Sequence, residues 1–168
     1  THSTDEVMLG LSLLPGSHLI ENITTAMNDT FWVAFKNSMI VSFSAMFCSV
    51  SISLMAGYGL AAYQFKLKRV IYNFVLLTMM VPSVLGVIGY MQEMRALRLS
   101  GSLLPLILIW FPSGFGVFWI TQYLQNSSQM ELVESARIDG CNEFFIFLKI
   151  VLPCIRPAII SLCLLIFL

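Results

Sequence analysis

The residues best placed to do chemistry lie in Glu134-Ser135-Ala136-Arg137-Ile138-Asp139-Gly140, followed after nine residues by Ile150-Val151-Leu152-Pro153, the one polar island between two long apolar segments. The island carries two carboxylates, Glu134 and Asp139, and one guanidinium, Arg137. Glu134 and Arg137, three apart on one helix face, can also pair with each other, for a few tenths of a kcal/mol. Elsewhere there is no Walker-type glycine-rich phosphate loop, no nucleophile beside a base, and no His/Cys cluster at metal-ligand spacing. His2 and His18 are isolated histidines. Cys48, Cys141, Cys154 and Cys163 include no C-x-x-C pair and read as buried free thiols.

Two short helices joined by a turn must position these side chains. Ser128 and Glu131 stand at capping-box spacing, which predicts a helix starting there. Gly140 can adopt the left-handed conformation that closes a helix, and Asn142 can cap the next one. Pro153 is expected to end or kink that second helix.

The rest of the chain reads as membrane. Mean hydropathy is +0.85, with 58% hydrophobic and 11% charged residues, against about a quarter charged in soluble domains. Nine basic residues balance nine acidic ones, which excludes the basic surplus that nucleic-acid binding needs. Residues 1–30 read as an extracytoplasmic loop. Spans are expected at 37–63, 70–90, 103–124 and from 157 to the end at 168, with a loop at 126–153. The serines of the first span, with Ala45, Ala56, Gly57 and Gly59, suit close helix packing, or a polar pathway. Lys66, Lys68 and Arg69 put the first turn on the cytoplasmic side, and the loop at 126–153 falls on that side too. Residues 91–102 read as a polar outer loop. Pro82 and Pro112 interrupt the second and third spans and are hinge candidates; at Pro82 a static kink buried in protein fits equally. Tyr123 reads as an interfacial belt residue, with the place of Trp119 left open.

Written out, the island resembles the pattern E-A-A, three residues, G, nine residues, I-x-L-P, the signature loop of membrane-spanning subunits of binding-protein-dependent ABC importers. Glu134, Ala136, Gly140, Ile150, Leu152 and Pro153 fall in register, and Ser135 departs, replacing one small residue with another. Asn37-Ser38, Ala61-Ala62-Tyr63 with Phe65, and Met79-Met80-Val81-Pro82 are similar to the carbohydrate-uptake branch, the maltose and glycerol-phosphate permeases. The resemblance implies an all-α membrane protein, the helical bundle of a type I ABC importer permease. It implies an incomplete chain of about four of six spans, one preceding residue 1 and the remainder following Leu168.

It also implies that the loop is a coupling helix docked on a cytoplasmic ATPase dimer. In that account Gly140 permits the turn, Ser135 and Ala136 leave room for docking, and Glu134 and Asp139 offer carboxylates to the loop's own amides or to an ATPase cation. Ile150, Leu152 and Pro153 complete the docking set. The other implied partners are a second permease subunit, an extracytoplasmic solute-binding protein and the lipid of a bacterial cytoplasmic membrane. No cofactor is expected on this chain, which is not an enzyme; ATP belongs to the partner. Other solute classes (polyamine, phosphonate, amino acid) share the loop. An ATPase-independent channel or scaffold is the remaining alternative, though 38–62, 70–90 and 103–124 hold no charged residue.

Overall fold

The computed structural model describes residues 18–111 and 113–167, and no strand occurs among them. The chain divides into two compact units at Ile40 and Val41. The described part of the first unit holds α1 (Leu19–Ala26) and the first turns of α2 (Asp29–Ala62). The outer loop expected over 1–30 is therefore helical from Leu19 to Ala26, and the portion before residue 18 lies outside the described residues. Asn28 caps α2: its side-chain oxygen accepts from the Phe31 amide at 2.9 Å, which starts the helix eight residues before the expected span.

The 34 residues of α2 make a rod of about 51 Å at 1.5 Å per residue, long and apolar enough to cross a membrane. In the second unit Ala45, Ser49, Ser53, Gly57 and Ala61 are buried along it at intervals of four. That stripe of small side chains meets α6 (Gly114–Gln125) at close range. A Cβ on Gly57 would fall 2.8 Å from Ile120, and one on Gly116 would fall 2.2 Å from the Ser53 hydroxyl. Close packing is thus what this face of α2 provides.

The expected second span is two helices, α3 (Lys68–Met80) and α4 (Ser83–Ala96), bent by 101° at Pro82. Val81 is extended, at ψ 121°, as the residue before a proline prefers, and Pro82 itself follows at ψ 123°. Two successive extended residues cannot carry a helix, so the chain turns a corner where a kink was expected. Pro82 is also exposed rather than buried. The outer loop is shorter than its polar composition suggests, because α4 runs on to Ala96 and closes through Leu99 N–H donating to Met94 O at 2.9 Å.

The third span is interrupted as expected, into α5 (Leu104–Leu108) and α6; Pro112 lies outside the described residues. Ser113 caps α6, accepting from the Gly116 amide at 3.0 Å. Trp119 donates to the Ala158 carbonyl at 3.1 Å. Tyr123 packs half-buried against the core. After α6 come α7 (Gln129–Ile138), α8 (Glu143–Cys154, with wide π-type turns over Ile146–Val151) and α9 (Arg156–Phe167). Of the described helices α2 alone is span-length, while the pairs α3–α4 and α8–α9 qualify only as bent spans.

The core lies in the second unit. Ile120, Leu124, Val133, Ile146, Val151, Ile155 and Leu162 are fully buried, and they come from α6, α7, α8, α9 and the break at Ile155. Together they tie α6, α7, α8 and α9 into one knot of helices. The cysteines are free and half-buried, less covered than expected.

Candidate functional site

The polar island is built as a helical hairpin. α7 starts at Gln129 behind Ser128, but the capping box does not form. Ser128 sits at ψ 2° and makes no side-chain cap bond, because its carbonyl, not its hydroxyl, receives the Glu131 amide at 3.2 Å. The turn does form as expected: Gly140 has φ +82°, Cys141 N–H donates to Ala136 O at 3.0 Å, and Asn142 accepts from the Phe145 amide at 2.7 Å. Pro153 neither ends nor kinks α8 at its own position. The helix breaks two residues later at Ile155, with a 76° bend into α9. The wide turns just upstream give the proline ring room beside the carbonyl it would otherwise strike.

Burial sorts the residues of the island. Glu134, Ser135, Asp139 and Gly140 are exposed. Ala136 is not: at 6% exposure it belongs to the core with Val133, so it seats the hairpin on its own chain and leaves no room for a partner. Ile150, Leu152 and Pro153 are half-buried, Ile150 against the same core. The Ser135 hydroxyl is occupied, donating to Glu131 O at 2.9 Å. Neither Glu134 nor Asp139 bonds the hairpin's own amides, and Glu134 does not pair with Arg137. Both carboxylates are exposed and have no partner among the described residues. Leu132, Ile138 and Phe144 of the hairpin are also exposed, at 50%, 86% and 73%, and the spacing of the island did not single them out.

Arg137 pairs with Glu143. Its Nε and a terminal nitrogen donate to the two carboxylate oxygens at 2.6 and 3.1 Å, a bidentate fork. The same carboxylate accepts from the hydroxyls of Tyr58 at 3.0 Å and Tyr63 at 2.7 Å. Arg137 further donates to the Ala62 carbonyl at 3.3 Å and lies 5.2 Å over the Tyr63 ring. These bonds hold the Glu143 carboxyl down to about 2, and the Arg137 fork is the largest cause; the same pairing pushes the guanidinium further up. Glu143, Tyr58 and the part played by Tyr63 were missed from sequence. An acid directly after the capping Asn142 was the available signal; the tyrosines lie 80 and 85 residues away and only the fold brings them in.

Residues 49–168 match the family model described as binding-protein-dependent transport system inner membrane component. The arabinooligosaccharides transport system permease protein AraQ of Bacillus subtilis is 34% identical over 154 residues, 90% of this chain and 54% of that protein. AraQ of Halalkalibacterium halodurans is 31% identical over 167 residues, 97% of this chain and 60% of that protein. The sn-glycerol-3-phosphate transport system permease protein UgpE of Salmonella typhi is 29% identical over 150 residues, 85% of this chain and 53% of that protein. Among solved structures, a bacterial ABC transporter involved in the import of the acidic polysaccharide alginate superposes with a TM-score of 0.81 over 96% of this chain and 57% of that one, at 23% identity. The chain thus spans a little over half the length of the curated relatives it matches.

Proposed function

Because this chain belongs to the family of binding-protein-dependent transport system inner membrane components, transport proteins rather than enzymes, we propose that it is part of a permease subunit of an ATP-driven importer. The cargo is a sugar or sugar-like solute, and the seat is the bacterial cytoplasmic membrane, crossed several times. The solute class is supported by relatives whose names carry arabinooligosaccharides and sn-glycerol-3-phosphate. A cytoplasmic ATPase dimer binds and hydrolyses the ATP, a second permease subunit completes the path, and an extracytoplasmic binding protein delivers the solute.

The observation that carries this reading is the division of the hairpin into two faces. Val133 and Ala136 are sunk in the chain's own core, while Glu134, Ser135, Ile138 and Asp139 point away from it around the Gly140 turn. An 86%-exposed isoleucine between unengaged carboxylates is poor design for water and suits a cleft with an apolar floor and cationic rim.

Cross-linking in the full-length protein tests it. With the native cysteines replaced, a cysteine at Ile138 should link to cysteines in the co-expressed ATPase with a yield that changes on adding ATP. A cysteine at Ala136 should link poorly, because it is buried. No link from Ile138 in an intact membrane complex would favour the ATPase-independent scaffold. Uptake of labelled oligosaccharides, glycerol phosphate and a polyamine, each with the cognate binding protein, separates the solute classes.

A further inference from the structure

We infer that Arg137 and Glu143 are positioning residues that lock the hairpin to the inner end of α2, so that a displacement of the hairpin is delivered to that span as one body. The inference rests on the docking reading above. Its ground is the set of bonds across a long separation in sequence. One carboxylate, Glu143, collects the Arg137 fork and the hydroxyls of Tyr58 and Tyr63. Arg137 adds a bond to the Ala62 carbonyl, at the last residue of α2. The Tyr58 ring also packs on Phe147 of α8, with centroids 5.2 Å apart.

The chemistry of these contacts decides what they do. Apolar burial holds surfaces together but has no preferred direction, so two faces joined only by it can slide or turn. A bidentate guanidinium–carboxylate fork fixes relative rotation as well as distance, and two phenol hydroxyls on the same carboxylate tie that orientation to Tyr58 within α2 and to Tyr63 just past its end. The hairpin's other exit is held by apolar packing: α8 leaves into α9 through a 76° break at Ile155, which is buried in the core. Motion entering at the exposed turn therefore reaches α2 through an oriented polar joint.

Paired spin labels test this in the full-length protein, assembled with its ATPase. One label replaces Met55 on the exposed side of α2, the other Lys149 on α8, both exposed. In the otherwise unchanged protein the Met55–Lys149 distance should be the same with and without trapping by ATP and vanadate, because the two move together. In Glu143→Gln it should shift or split on trapping, and Glu143→Asp should restore the single distance. Tyr63→Phe, which removes one bond and leaves the ion pair, should give a smaller shift; it carries the test if Glu143→Gln does not assemble. Identical behaviour in the parent and in both variants overturns the inference. A third distance, from Lys149 to a label on the ATPase, reports on docking itself. If that distance never forms or never responds to nucleotide, the docking reading fails and takes the inference with it, a result distinct from loss of the joint alone.

Discussion

The ion pair at the hairpin has a sign that can be worked out. Glu143 is held at about 2 against an ordinary 4.5, so between those values the unfolded chain takes up a proton that the folded chain refuses. Its stabilisation is complete above pH 4.5 and is lost as pH falls toward 2. The groups that face it, Arg137, Tyr58 and Tyr63, keep their charge across that window. Thermal unfolding in detergent should therefore show a drop in that window that Glu143→Gln lacks; equal acid profiles would remove the pair from the account. With Arg137 at 30% and Glu143 at 43% side-chain exposure, a double-mutant cycle at neutral pH should return about 1 kcal/mol rather than the several of a fully buried pair. Gly140 differs in kind. Nothing lies within 4 Å of a Cβ built there, but its φ is +82°, so the cost of substitution is conformational. Gly140→Ala should cost about 1–2 kcal/mol, read as a lower unfolding temperature, and Gly140→Val more. Equal stability of all three would mean that the turn relaxes freely.

Among the helices, the crossing of α2 and α6 makes the sharpest demand. Gly57→Val should push Ile120 and the Thr121 amide aside and cost about 1–3 kcal/mol by overpacking, whereas Gly59→Val, with nothing within 4 Å, should cost much less. Comparing the two in thermal unfolding checks the close approach, and equal effects would refute it. Much of this was legible in the sequence. The small residues of α2, the turn at Gly140, the Asn142 cap and the interruption of the third span all announced themselves through local chemistry. What was not legible depended on partners far along the chain. Ala136 reads as a docking residue by its place in a motif, yet its burial is set by α6 and α8. Ser128 stands at the right spacing for a box that its backbone angles do not allow. Pro82 marked a break in the second span correctly, but not that two extended residues would turn it through 101°.

Across the whole chain, the large apolar side chains that remain uncovered define its surroundings. Phe47, Met55, Phe74 and Ile88 are between 66% and 73% exposed, on helices that carry few charges, and a membrane chain covers such surfaces with lipid or another permease segment. Single cysteines there should resist a membrane-impermeant maleimide in native vesicles. Cysteines at Ile138 and Phe144 should react in inside-out vesicles stripped of ATPase and become protected when ATPase is restored. Ready labelling of Phe74 from water would contradict the membrane placement of α3.

The wide turns over Ile146–Val151 also set a phase. They lie between Glu143, which must meet Arg137, and Ile155, which must enter the core. Wound as ordinary α-helix at about 100° per residue, the same six residues would turn one end against the other by about 100° more, swinging the carboxylate out of reach of its fork. Removing one residue while the stretch tightens to α-helix would leave that phase almost unchanged. The wide turns therefore act as a tuning peg: they take up one extra residue and keep the joint between the hairpin and α2 in register.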